Sequence, residues 1–235
     1  KKMGTWAFVG SGLEKLELPA SLETLGTAAF NGCTKLKTVT VADGSQLQVV
    51  GQSSFAGCTS LESFQFLGSS VAVTIGKNAF SGDTKLPTFT IPGTVTTIEE
   101  GAFNGCSAMT SVTFDTPARI TTIGAGAFQN AGLLSIHLPE SVTTIEQSAF
   151  NSCQKLTKID IPAATTSIDP KAFQFCGSLT ELNADPGNPK YSSVDGFLLS
   201  KDKKTLIAFP PGKASTYYTM LPPTIEEIGP YAFYY

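Results

Sequence analysis

The chain has 235 residues, of which 41% are hydrophobic and 15% are charged, and its formal net charge is −3. This composition is typical of an ordered chain, and no stretch approaches the ~20 consecutive apolar residues of a transmembrane helix. Lysine and arginine form no cluster, so the sequence lacks the positive field of proteins that bind nucleic acid or anionic membranes. We therefore predict no nucleic-acid partner and no direct insertion into a membrane.

A repeat with a period of 22 to 25 residues organises most of the chain. A phenylalanine marks each copy, at Phe8, Phe30, Phe55, Phe80, Phe103, Phe128, Phe150, Phe173 and Phe233. An apolar residue stands five positions earlier in every copy, at Met3, Leu25, Val50, Ile75, Ile98, Ile123, Ile145, Ile168 and Ile228. The length changes fall in turns and spare these apolar positions. Each copy is therefore predicted to form one coil of a solenoid with a continuous core.

Three segments are predicted within each coil. The pattern L-x-x-I-x-I, as in "LKTVTV" (36–41) and "LTKIDI" (156–161), alternates with period two and predicts a short strand with one buried face. Proline often follows this strand and ends it, because proline has no N–H to donate. A second extended segment is expected at "VTTI" (95–98 and 142–145), followed by a turn or a single helical turn that places Phe in the core. The predicted fold class is an α/β-type repeat solenoid.

The repeat is interrupted near the C-terminal end. We predict a solenoid over residues 1–182, a β-hairpin insert over 183–221 and a resumed repeat over 222–235. The hairpin is inferred from two extended runs, "GFLLS" and "TLIAFP", which are separated by "KDKK". The chain begins inside one repeat and stops inside another, so we expect a segment of a longer protein whose signal and anchoring regions lie outside it.

The five cysteines occupy one column, three residues after the marker Phe, at Cys33, Cys58, Cys106, Cys153 and Cys176. Neighbouring coils lie about 4.8 Å apart, which would bring Cys33 near Cys58 and Cys153 near Cys176. Stacked side chains run parallel, however, and a disulfide needs Cβ atoms at ~3.8 Å. Small buried thiols are the favoured interpretation, and disulfides in those two pairs stay open. Because a row of thiols does not converge as zinc ligands do, no metal or other cofactor is predicted.

Two candidate partner-binding surfaces follow from the outward-facing residues. The first comprises the outward rows of the predicted strands: Thr38, Thr40, Ser63, Gln65, Thr88, Thr90, Ser111, Thr113, Ser135, His137, Lys158 and Asp160. These rows lack the Trp, Tyr and Arg side chains that dominate interface hot spots, so they predict either a weak polar binding surface or a solvated one. The second candidate is an aromatic patch at Tyr191, Tyr217 and Tyr218. Its alternative is that these rings pack the insert onto the solenoid.

The stretch "SVTTIEQSAFNSCQKLTKIDIP" (141–162) resembles the repeat of the BspA-like leucine-rich repeat family almost position for position. The insert "NPKYSSVDGFLLSKDKKTLIAFPPGK" is also similar to a segment found in such proteins. The resemblance implies a curved, right-handed leucine-rich-repeat solenoid whose concave strand face commonly binds proteins. It further implies a non-enzymatic cell-surface or secreted module that adheres to host or microbial partners, and it supplies no catalytic residues.

Two other functions compete with adhesion. One is an architectural spacer that displays other domains and binds nothing itself. The other is a carbohydrate-active right-handed β-helix enzyme, since such proteins also repeat at 20–25 residues. The marker Phe in every copy, and the absence of an Asp/Arg/Lys cluster on one strand face, disfavour this enzyme.

Overall fold

A computed structural model describes residues 1–68, 71–72, 74–213 and 221–233. The described chain forms a repeat β-solenoid, in which most coils contribute one longer and one shorter strand. The longer strands have four residues each: β1 Lys15–Leu18, β2 Thr38–Val41, β4 Ser63–Phe66, β6 Thr88–Ile91, β8 Ser111–Phe114, β11 Lys158–Ile161 and β13 Glu181–Ala184. The shorter strands have two residues each: β3 Val49–Val50, β5 Thr74–Ile75, β7 Thr97–Ile98, β9 Thr122–Ile123, β10 Thr144–Ile145 and β12 Ser167–Ile168.

The shorter strands form one continuous parallel sheet in the order β3–β5–β7–β9–β10–β12. Residues at the same position of successive repeats are partners in this sheet, so Ile75 pairs with Ile98 and Ile98 with Ile123. Their side chains are fully buried. The repeat frame predicted from the sequence is therefore confirmed on this side of the solenoid.

The longer strands form three separate parallel groups rather than one sheet, namely β1–β2–β4, β6–β8 and β11–β13. In a paired group, the residue that follows one strand donates its backbone N–H to the last carbonyl of the strand in the preceding coil. Examples are the bonds from Ala42 to Leu18 at 3.0 Å and from Asp115 to Ile91 at 2.9 Å. The equivalent residues after β6, after residues 135–138 and after β11 are Pro92, Pro139 and Pro162, which have no N–H to donate. Pairing with the preceding coil is lost or reduced to a single bridge at each of these three places.

The marker phenylalanines stack into a spine through the core. From Phe8 to Phe173, successive ring centroids lie 5.2 to 6.0 Å apart and the ring planes lie within 14° of parallel. A third ladder of backbone hydrogen bonds accompanies the rings, as in the bond from the Phe103 amide to the Ala127 carbonyl at 2.8 Å. Each ring from Phe30 to Phe150 therefore packs between two others while its own backbone is bonded to the next coil.

The segment that contains the marker Phe is not helical, so the prediction of a short helical turn was wrong; the structure has no helix in any described range. The cause lies in the backbone on either side of the ring. Ala28 (φ 54°) and Gly32 (φ 67°), two residues before and after Phe30, both adopt left-handed conformations. A left-handed residue cannot continue a right-handed helix. The chain turns instead, with i to i+3 bonds such as that from the Cys33 amide to the Phe30 carbonyl at 3.2 Å.

The interruption of the repeat contains a three-stranded antiparallel unit, formed by β14 Tyr191–Val194, β15 Phe197–Ser200 and β16 Thr205–Ala208. The predicted pairing of "GFLLS" with "TLIAFP" is observed as β15 with β16, and β14 adds a strand that the sequence analysis missed. Asp195 (φ 50°) and Gly196 (φ 78°) join β14 to β15, which is the two-residue turn that Asp-Gly favours. The repeat then resumes at β17 Glu227–Ile228, which pairs in parallel with β16.

This unit is packed onto the solenoid and does not project freely. Leu198 belongs to the main core, whereas Phe197, Leu199, Leu206 and Phe209 form a second small core with Ala232. Asn188 is fully buried, and its Nδ2 donates to the Pro162 and Thr165 carbonyls, at 2.8 Å each. A buried amide with these partners ties the start of the insert to the coil beneath it.

Candidate interaction surface

The outward side chains of the longer strands form a solvated strip, which we call the strand face. It consists of Thr38, Thr40, Ser63, Gln65, Thr88, Thr90, Ser111, Thr113, Ser135, His137, Lys158 and Asp160, all exposed or half-buried. The residues between them, such as Val39 and Phe89, are buried. Strand alternation therefore places every residue of the first candidate surface at the solvent boundary, while the buried side chains hold the strip to the core.

The strand face is divided into patches by the three breaks between the longer strands. Within a patch, paired strands place side chains in register, and the Oγ1 atoms of Thr90 and Thr113 lie 3.0 Å apart. Ser135 and His137 lie on no strand, since Ile136 makes only a single bridge, to Ile159. The twelve residues therefore form several small surfaces and not one uniform surface.

Charge on the strand face is concentrated at its C-terminal end. Lys158 Nζ lies 3.1 Å from Asp160 Oδ1, with both side chains about half exposed. Asn183 Nδ2 donates to the same Asp160 oxygen at 3.5 Å and to Glu181 Oε2 at 3.1 Å. An exposed ion pair of this kind contributes at most about 1 kcal/mol. Its main effect here is to leave Lys158 already paired with a carboxylate.

Two adjoining hollows lie on either side of His137 and Glu140, and together we call them the His137 cleft. The larger has a volume of 480 Å³ and is lined by Val112, Thr113, Phe114, Thr116, Ala118, Pro139 and Ser141 in addition to the shared pair. The smaller has a volume of 310 Å³, and its lining includes Lys158, Asp160 and Asp185. Both volumes fall in the range of ligand pockets, roughly 300–1,000 Å³.

Sequence reasoning found His137 but missed Glu140, Phe114 and Pro139, because these residues lie at strand ends and in turns. A signal was present in the repeat lengths. The coil from Phe103 to Phe128 spans 25 residues, whereas the next coil, from Phe128 to Phe150, spans 22. A difference of three residues is the largest between neighbouring coils before the insert, shared with the first pair of coils, and the larger hollow lies between residues of these two coils.

The predicted aromatic patch needs a correction at Tyr191, whose side chain is buried in the main core. Its hydroxyl accepts a hydrogen bond from the Ile168 amide at 3.1 Å, and burial raises the pKa of the phenol. Tyr191 thus packs the insert onto the solenoid, which was the alternative interpretation. Tyr217 and Tyr218 lie outside the described residues.

The cysteine column consists of free, buried thiols, so neither of the two disulfides left open by the sequence is present. Each thiol donates to the carbonyl of the marker Phe one coil earlier, as from Cys58 to Phe30 at 3.3 Å and from Cys176 to Phe150 at 3.0 Å. Burial raises the pKa of Cys176 to about 12. The thiolate is the reactive form of cysteine, and burial disfavours it. The cysteine column therefore serves packing and hydrogen bonding between coils.

Asp83 takes the place of a cysteine in this column, as Ser11 and Ala131 do in two other coils. Its side chain is fully buried, and its Oδ1 accepts a hydrogen bond from the Cys58 amide at 2.8 Å. Its Oδ2 has no hydrogen-bond partner within the described ranges. Burial raises the pKa of this carboxyl well above its usual value of 3.8.

Comparison with known proteins shows where similar coils occur. The family model described as "BspA type Leucine rich repeat region" matches residues 1–74 and 73–193, with six copies. No protein of curated function gave a significant match. Across the ranges that the structure covers, no helix has the length and apolar character needed to span a bilayer.

Among solved structures, a leucine-rich cell surface protein of Faecalibacterium prausnitzii is 26% identical, with a TM-score of 0.61 over 89% of this chain and 49% of that one. A leucine-rich repeat protein of Eubacterium ventriosum is 22% identical, with a TM-score of 0.64 over 85% and 45% of the two chains. The pneumococcal vaccine antigen PcpA is 22% identical, with a TM-score of 0.54 over 92% and 55%. The chain thus spans about half the length of each of these three solved structures.

Proposed function

The chain belongs to the BspA-type leucine-rich repeat family, and from this premise we propose that it is a non-enzymatic protein-interaction module, displayed on a cell surface or secreted, that adheres to host or microbial partners. Leucine-rich repeat domains generally mediate protein–protein interactions, and the family is typically non-enzymatic. The surface location is supported by the similarity to the cell surface protein of Faecalibacterium prausnitzii. We also propose the domain boundaries 1–182, 183–221 and 222–235.

The strand face is the proposed contact surface, and one observation carries this proposal. The outward residues of the strand face lie at the solvent boundary, ten of the twelve on strands paired with a neighbouring coil, while the alternate residues are buried in the core. Such a surface binds with little loss of backbone entropy, because it is ordered before the partner arrives. Tyr217 and Tyr218 remain a second proposed contact.

The spacer is the competing function, and the chemistry of the strand face favours it. Short hydroxyl groups dominate the strip, and Trp, Tyr and Arg, the residues that dominate hot spots, are absent from it. A spacer would show no partner that depends on the strand face.

An array of host and microbial surface proteins, probed with the 235-residue chain, tests the proposal. Replacing Thr88 and Ser111 by Glu places two charges on paired strands of the strand face, and binding should fall at least about tenfold. Thr84→Glu with Ser107→Glu adds the same charge to exposed turns of the same coils and serves as the control. If both double variants bind like the wild type, the strand face is not the contact. Hydrolysis of any polysaccharide in a panel would overturn the non-enzymatic assignment.

A further inference from the structure

The His137 cleft differs from the rest of the strand face because it interrupts the regular stacking of coils. In the described chain, no backbone hydrogen bond joins β8 to residues 135–139. In the preceding coil, the Asp115 amide donates a hydrogen bond to the Ile91 carbonyl. Pro139 stands at the equivalent position one coil later and has no N–H to donate. The edge of β8 that faces the cleft therefore presents backbone carbonyls without the donors that a regular coil supplies.

The larger hollow combines this edge with apolar side chains. Val112 is buried, whereas Phe114, Ala118 and Pro139 are half-buried, so their apolar surfaces are partly open to solvent. Glu140 at the junction of the two hollows is exposed and has no hydrogen-bond or ion-pair partner in the described part of the chain. Apolar surface beside a carboxylate favours a ligand that carries both an apolar and a cationic group.

The smaller hollow strengthens the acidic character. Asp160 and Asp185 join Glu140 in its lining, against one cation, Lys158. The Lys158 ammonium is already 3.1 Å from Asp160. Two carboxylates, those of Glu140 and Asp185, therefore remain without a cationic partner in this lining, and the ligand that complements them is positively charged.

We propose that the His137 cleft binds an extended segment of a partner protein in which basic residues flank apolar ones. The apolar side chains enter the hollow between β8 and residues 137–141, and the basic groups meet Glu140 and Asp185. Backbone amides of the segment donate to the free edge of β8, as in the addition of a strand to an open sheet edge. This site rests on the proposed function and names the class of partner for one patch of the strand face.

Fluorescence anisotropy with short labelled peptides tests the site on the 235-residue chain. The first peptide has two lysines flanking a Leu–Val pair, the second has glutamates in place of the lysines, and the third has Gly and Ser in place of Leu and Val. The first peptide should bind, and the other two should bind at least about tenfold more weakly. Raising the salt from about 0.05 M to 0.5 M should weaken the first peptide, because the rim charges are exposed.

Two substitutions assign the binding to the cleft. Glu140→Gln removes the shared carboxylate at nearly constant size, and Ala118→Phe fills the larger hollow; each should raise the Kd of the first peptide about tenfold. Glu17→Gln removes an exposed carboxylate on β1, outside the cleft, and should leave the Kd unchanged. Urea midpoints verify that the variants fold, and if Ala118→Phe does not, the exposed Glu140 substitution carries the test alone.

Failure of this site is distinguishable from failure of the proposed function. Three results would overturn the cleft proposal. They are no binding of the first peptide, equal binding of the glutamate peptide, and a Kd for the first peptide that neither cleft substitution changes. Array binding that still responds to Thr88→Glu and Ser111→Glu would, in that case, leave the proposed function standing. Binding of neutral oligosaccharides that is lost in Ala118→Phe and kept in Glu140→Gln would assign the cleft to a glycan and also overturn the proposal.

Discussion

Replacing Asp83 by Asn should stabilise the protein at neutral pH. Asp83 is a fully buried carboxyl whose Oδ2 lacks a partner in the described ranges. An unsatisfied buried polar atom costs roughly 1–3 kcal/mol. In other coils the thiol at this position donates to the Phe carbonyl one coil earlier, as from Cys106 to Phe80 at 3.1 Å. An Asn side chain at position 83 supplies an acceptor for the Cys58 amide and also a donor toward the carbonyl of the marker Phe one coil earlier. The free energy of unfolding should therefore rise by about 1–3 kcal/mol.

The gain should depend on pH with a definite sign. Burial raises the folded-state pKa of Asp83 above the unfolded value of 3.8. Well below pH 3.8 the carboxyl is protonated in both the folded and the unfolded state, so its ionisation does not change the free energy of unfolding. As the pH rises from there to the folded-state pKa, the unfolded state loses its proton first and wild-type stability falls, by about 1.4 kcal/mol for each unit between the two pKa values. The advantage of Asp83→Asn should therefore be smallest near pH 4 and grow toward neutral pH.

Urea unfolding from about pH 4 to pH 8 measures this difference. Asp115→Asn, which changes an exposed carboxyl directly after β8, is the matched control and should show a much smaller dependence on pH. A stability difference for Asp83→Asn that is constant across the range would show that Asp83 does not carry a raised pKa in the folded state. A loss of stability at every pH would show that the carboxyl makes a stronger bond than the single one to the Cys58 amide.

Two further substitutions test the spine and the turns around it. Phe103→Ala should cost about 3–5 kcal/mol in urea unfolding, because the ring is fully buried between Phe80 and Phe128 at 5.3 and 5.4 Å; a loss below about 1 kcal/mol would contradict the stacked core. Phe175→Gly should stabilise by about 1 kcal/mol, because Phe175 is left-handed (φ 58°) where Gly32, Gly57 and Gly82 stand in other coils. A destabilised glycine variant would mean that the partly exposed ring makes contacts worth more than the strain.

The sequence predicts which apolar residues of each repeat are buried, but it does not predict the backbone conformation of the segments between those residues. Leu25 and Phe30 repeat with fixed spacing, and Leu36 recurs five or six residues after the marker Phe, so the burial of these three residues follows from periodicity. The helical turn was wrong because non-glycine residues such as Ala28 and Ser53 adopt left-handed conformations, and composition does not mark them. Neighbouring coils impose this conformation through the backbone ladder, which is a tertiary effect.

The candidate surfaces show the same division. Outward strand residues were located correctly because side chains alternate along a strand. Tyr191 was wrongly assigned to an exposed patch, because the sequence does not distinguish an exposed tyrosine from one with a buried ring and a hydrogen-bonded hydroxyl. Glu140 was missed because its position depends on how two coils of different length meet, and periodicity describes each coil by itself.

Specificity in such a solenoid should arise where the repeat departs from its own pattern. Regular coils present similar hydroxyl rows, as at Thr88 and Thr90 beside Ser111 and Thr113, and a partner gains little from choosing one regular coil over the next. Proline after β6, after residues 135–138 and after β11 coincides with a break in the stack of longer strands. At Pro139 this break coincides with a step from a 25-residue coil to a 22-residue coil. The missing amide frees an edge, the length difference leaves a hollow, and Glu140 supplies charge, so this coil offers a partner a combination that a regular coil lacks.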